Sequence, residues 1–295
     1  MLFVVLAGVS GLVWGVGDFA GGKATQRAGA LPVVLVSKLA SLPLLALSLL
    51  LLSSTPDGAS LGWGALAGMF GAFGVVVFYA ALSGGAMTVV APITSVTSAA
   101  IPVVVGLVGG ERPSPVSLVG VVCALVAIAL VSLAPPRPGT TSLVTGRLVA
   151  MAVAAGVGFA LFFVFLARAN EAAPGGDAGL WPIGSAQLAA LGVCAALVAA
   201  TRARPALVPG SGTWPRGRAL AWACVAGPFD MSANALFLVA TRYGDLSLVA
   251  PLAALYPVTT VLLALAVDGE RLRALQVVGL ALALAALLLV SGPLG

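Results

Sequence analysis

The chain has 295 residues, of which 61% are hydrophobic and 8% charged, with a net charge of +5 and no histidine. A soluble domain carries roughly 25% charged residues, and no soluble core could hide this much apolar surface, so the surrounding solvent is lipid. The basic residues lie in short gaps between apolar runs and form no patch, which excludes nucleic acid as a partner.

A membrane span needs about 20 apolar residues. Ten such runs occur, near 2–20, 31–52, 62–83, 87–109, 116–134, 147–168, 180–200, 219–241, 246–267 and 274–291. The first is read as a span and not a signal peptide. It has no basic start, and Trp14 and Asp18 interrupt the place where a cleavage site would sit. The gaps are short and rich in breakers, such as Ser53 to Gly58 and Pro135 to Gly139, and none could hold a folded soluble domain. Gly11 and Gly15, Gly64, Gly68 and Gly71, and Gly106 and Gly110 recur at helical spacing, the pattern that lets helix backbones approach closely in lipid. Pro92 and Pro251 sit about one turn into the fourth and ninth spans. Each deprives a carbonyl, of Thr88 or Ser247, of its usual donor, and the hydroxyls of those residues are expected to help satisfy the backbone. These two prolines are candidate hinges. Cys123, Cys194 and Cys224 lie within apolar runs and read as packing thiols. No metal-ligand spacing exists, so neither a metal nor another cofactor is expected.

One stretch occurs twice. Val90-Ala91-Pro92, Gly110-Glu111-Arg112 and Gly120 reappear as Val249-Ala250-Pro251, Gly269-Glu270-Arg271 and Gly279, always 159 positions on. Gly11 and Trp14 of the first span match Gly156 and Phe159 at an offset of 145. This is an internal duplication, with repeats at 1–134 and 146–292. Five spans per repeat is odd, so the second copy enters the membrane from the opposite face and a pseudo-two-fold axis lies in the membrane plane. The positive-inside rule places the arginine-rich gaps in the cytoplasm and therefore both termini outside.

Ionisable or polar groups at depth in lipid are functional hypotheses by default. Asp230 lies near the middle of the eighth span with Asn234 one turn on, and suits a proton-coupling site or a contact for a cationic solute group. Asp18 ends the first span. Lys38 lies two turns into the second, where it could snorkel, pair with Asp18 or meet a substrate carboxylate. Tyr256, in Leu255-Tyr256-Pro257, needs a hydroxyl partner at its depth. Trp14, Tyr79, Phe159 and Phe163 are candidates to line the same cavity, and Gln187 is a buried polar group of the seventh span. Glu111 with Arg112, and Glu270 with Arg271, read as interfacial ion pairs that close hairpins.

Trp14-Gly15, the two Ala-Pro motifs and the two Gly-Glu-Arg motifs make the chain resemble the drug/metabolite transporter superfamily, and within it the EamA-like permeases. The resemblance implies an all-α membrane protein of ten helices in two inverted five-helix repeats. It also implies a secondary transporter with a central cavity between the repeats, often exporting amino acids or other small metabolites, and with both termini cytoplasmic. Lys38 stands where the family carries an arginine, keeping the charge without the bidentate fork. The expected partners are a small-molecule solute, the lipid bilayer and protons, in a multi-pass plasma-membrane protein that is a monomer or a homodimer. The rival reading is a translocase of a lipid or lipid-linked sugar with the same fold. An enzyme is not expected, since without histidine no Ser-His arrangement can form.

Overall fold

The computed structural model describes residues 1–51, 54–82, 87–133, 145–173, 177–203, 213–269 and 272–292, with the side chains of 79, 82, 87, 88, 202 and 203 outside that description. The helices are α1 (Leu2–Thr25), α2 (Ala30–Leu51), α3 (Gly58–Leu82), α4 (Met87–Val108), α5 (Pro115–Val131), α6 (Gly146–Ala172), α7 (Trp181–Ala203), α8 (Arg218–Ala240), α9 (Leu246–Ala253), α10 (Tyr256–Asp268) and α11 (Ala274–Ser291). Nine segments among the described residues are long and apolar enough to cross a membrane, α9 and α10 counting together, and the 17-residue α5 makes the tenth. Side chains such as Leu50 (82% exposed) and Val108 (83%) stay on the outside, as lipid permits and water would not.

Short polar residues set where the helices begin. Asp57 Oδ2 accepts the Ser60 N–H at 2.9 Å, Ser114 Oγ the Ser117 N–H at 3.1 Å, and Thr145 Oγ1 the Leu148 N–H at 3.3 Å. Each supplies an acceptor to a first-turn donor that has no partner within the helix. Gly110 and Gly269, 159 positions apart, both take a positive φ, +104° and +68°, where α4 and α10 stop. A side chain is strained in that region, so glycine ends both spans.

The duplication is visible as a contact that reads the same from either side. A Cβ on Gly120 would meet Val290 at 2.8 Å, and one on Gly279 would meet Val131 at 2.7 Å. Both glycines and both valines are 159 positions apart, so the α5–α11 seam lies on the pseudo-two-fold axis. The same symmetry pairs α3 on α6 with α8 on α1. The fold is therefore two inverted five-helix halves, as expected from an odd repeat.

The ninth span departs from the plain helix expected over 246–267. It breaks between α9 and α10, at Ala254 and Leu255. Pro257 has no N–H to give the Ala253 carbonyl, so the helix cannot run through. Leu255 donates instead to the Leu252 carbonyl (3.2 Å) and Val258 to the Leu255 carbonyl (2.9 Å), a tighter turn. The fourth span has Ser98 at the place of Pro257, since 257 − 159 = 98, and α4 runs unbroken through Pro92 and Pro102. Pro251 lies inside α9, three residues before the break. The hydroxyl of Ser247 is buried without a hydrogen-bond partner, so it does not satisfy the carbonyl freed by Pro251; the side chain of Thr88 lies outside the described residues.

Candidate functional site

The site begins with a close approach of two helices from different repeats. A Cβ on Gly227 of α8 would collide with the Ser37 carbonyl oxygen of α2. With the backbones this close, Lys38 reaches across the seam and its Nζ lies 2.6 Å from Asp230 Oδ2. Asn234, one turn along α8, donates Nδ2 to the same oxygen at 3.3 Å. The two charged side chains are 19% and 36% exposed, which makes the pair part-buried. Lys38 thus meets Asp230, and not Asp18 across the first hairpin.

Asp18 lies within electrostatic reach of both Asp230 and Tyr256. Asp18 itself is exposed. The Tyr256 hydroxyl, at the first residue of α10, pairs with Ser95 of α4. Thr260 Oγ1, one turn further, is 3.3 Å from the Gly15 carbonyl of α1. Asp18, Lys38, Asp230, Asn234 and Tyr256 therefore form one polar locus, contributed by α1, α2, α8 and α10, beside the helix break. The glycines of α1 make room for that break: a Cβ on Gly11 would come within 2.9 Å of the Ala253 carbonyl, the one Pro257 leaves without a donor.

Trp14, Phe163 and Gln187 have their described contacts outside these five residues. Trp14 is buried and packs edge-on to Phe163 (5.4 Å between ring centres) and tilted against Phe237 (6.0 Å), so it and Phe163 belong to the apolar core. Gln187 is buried at the α2–α7 contact, where it donates to Ser41. The side chain of Tyr79 lies outside the described residues. Gln187 nevertheless has a place in the symmetry. Gly68 approaches the Ala186 carbonyl as Gly227 approaches that of Ser37. The glycines differ by 159 and their partners by 149 (186 − 37), so Gln187 is the counterpart of Lys38. Gly71 is the counterpart of Asp230 (230 − 159). The charge thus sits at one of two equivalent seams, and the other is neutral. The offset of 149 between second spans is the signal that could have revealed this.

Glu111 was expected to pair with Arg112, and it does not. Its two carboxylate oxygens accept the backbone N–H groups of Leu246 (2.9 Å) and Ser247 (2.8 Å), the first residues of α9 in the other repeat. Arg112 donates instead to the carbonyls of Leu107 (3.1 Å) and Glu111 (2.9 Å). A carboxylate satisfies otherwise unpaired N–H groups and the positive helix end together. Glycine at 106 leaves room for the carboxylate, since a Cβ there would crowd Glu111 Oε2 and push the side chain off the cap. Partial burial, and then the charge of Glu111, raise the carboxyl of Asp245 above its ordinary range. Sequence reading missed this cap because its partners are 135 positions away and are backbone atoms. Glu270 and Arg271 lie outside the described residues. Glu111→Ala should lower stability by about 1–3 kcal/mol, the usual cost of losing charged hydrogen bonds, and Arg112→Ala by much less; thermal melts of the two variants in one detergent check this.

A helix interrupted inside the bilayer, with charged side chains gathered in the seam between inverted halves, is the architecture of secondary transporters. The EamA-like transporter family matches residues 1–133 and 146–292, and the chain belongs to that family, a family of membrane transporters. Among 27 solved chains that match, a crystal structure at 15% identity superposes with a TM-score of 0.72 over 98% of both chains. At that identity the likeness concerns the fold alone. No curated protein matches.

Proposed function

We propose that this transporter moves a small organic metabolite, such as an amino acid, out across the plasma membrane by alternating access around the Asp18–Lys38–Asp230 locus. The observation that carries the reading is the Lys38–Asp230 ion pair, held across the inter-repeat seam at 2.6 Å where the pseudo-equivalent seam has Gln187 and Gly71. An ion pair in lipid is costly to maintain, and packing at the second seam manages without one. Asp230 is also the link between α2 and α8. A proton, or a cationic group of the solute, that takes the Asp230 carboxylate from Lys38 loosens α2 from α8. That couples occupancy of the seam to the rocking of one repeat against the other. The break before Tyr256 gives the ninth span a joint at the same depth, in support of hinge motion near Pro251, with Pro92 as its counterpart in α4.

Without histidine, a carboxylate must carry any proton. Asp230→Asn, reconstituted in proteoliposomes, should abolish flux driven by a pH gradient while solute exchange persists. Unchanged pH-driven flux removes Asp230 from the mechanism.

A further inference from the structure

A cavity opens on the arginine-rich face, apart from the seam locus. It is about 230 Å³ and is lined by Lys23, Gln26, Arg27, Arg218, Trp222, Val267 and Asp268. Three elements converge there: the end of α1, the start of α8 and the end of α10. The α1–α2 turn is fixed beside α8 by the Gly29 N–H, which donates to the Thr213 carbonyl at 2.8 Å. This brings Arg27 and Arg218 to the same mouth.

The charges in the cavity do not cancel. Lys23 pairs with Asp268, while neither arginine has a carboxylate partner among the described residues. Two guanidinium groups are left facing one cavity, a donor set that fits phosphate oxygens. The cavity also borders lipid. Trp222 is half-buried and stands edge-on to Phe19 at 6.3 Å, an amphipathic ring at the depth where such rings gather. Deeper along the same helices, α8 exposes Val225, and α10 exposes Leu262 and Leu265. A free anion has no use for those apolar flanks, whereas acyl chains do.

We infer that this cavity binds the phosphate headgroup of an anionic phospholipid. Arg27 and Arg218 hold the phosphate and Trp222 sits at the level of the glycerol. Basic pockets between helices at a membrane surface recruit anionic lipid.

The test uses the full chain purified with mixed dioleoyl phosphatidylglycerol and dioleoyl phosphatidylcholine, with native mass spectrometry counting retained lipids. Phosphatidylglycerol should be retained about tenfold over phosphatidylcholine, given the attraction expected per basic side chain. Arg27→Gln with Arg218→Gln should bring the two lipids to parity. Arg147→Gln, an exposed arginine at the start of α6 on the same face, should keep the wild-type preference. Should the double variant not fold, Arg218→Gln alone reads the same effect at a smaller fold-change. Parity in the wild type overturns the inference, as does an equal loss in Arg147→Gln, which would make the preference one of overall charge. Displacement of the lipid by soluble glycerol phosphate also overturns it, since the site would then take a free phosphate.

Discussion

Gly227→Ala will cost roughly 3 kcal/mol or prevent assembly, the upper end of what overpacking a close contact incurs. The added methyl falls on the Ser37 carbonyl oxygen, which is backbone and cannot rotate away. The α2 and α8 helices must then separate, and membrane helices that cannot approach closely lose the dispersion contacts that hold them together. Gly68→Ala, against the Ala186 carbonyl at the equivalent seam, should behave alike. Gly192→Ala in α7 is the control: nothing lies within 4 Å of its would-be Cβ, and alanine is the better helix former by about 1 kcal/mol. Monodispersity by size-exclusion chromatography and thermal melts compare the three. Equal melting temperatures for Gly227→Ala and wild type would contradict the closeness of the seam.

Lys38→Met will leave Asp230 with Asn234 as its one remaining described polar partner. The expected result is transport reduced at least tenfold, about 1.4 kcal/mol, together with a lower melting temperature. Removing one member of a buried pair leaves an uncompensated charge, whereas removing both can be nearly neutral. The double variant Lys38→Met with Asp230→Asn should therefore be more stable than Lys38→Met alone, though still without pH-driven flux. With the side chains 19% and 36% exposed, the coupling in the mutant cycle should be about 1 kcal/mol, below that of a fully buried pair. Simple additivity of the two single effects would show that the residues act independently. The same variants separate roles: if Lys38 only anchors α2, solute exchange, which Asp230→Asn alone retains, recovers in the double variant along with stability.

The residues that could be read correctly from the chain are those whose neighbours are also their neighbours in sequence. Ten apolar runs must become ten crossings, because lipid offers no other partner to backbone N–H and C=O groups than the helix itself. An odd repeat must invert, and Gly110 and Gly269 end their spans locally through φ > 0. Asp230 and Asn234 share a helix face by spacing alone.

The pairings that give the site its character join positions far apart along the chain. For Lys38 the sequence offered Asp18 as a protein partner, and the closeness of α2 to α8, set by Gly227, gave it Asp230 instead. The partners of Trp14, Phe163 of α6 and Phe237 of α8, are likewise far from it in sequence. Glu111 stands next to Arg112 in sequence, yet the start of α9 lies closer to its carboxylate and offers two unpaired N–H groups. Local composition thus determined the membrane fold and its symmetry. Which charges meet across the seam was decided by helix-to-helix distance, a quantity that depends on both partners at once and that no single stretch of sequence contains.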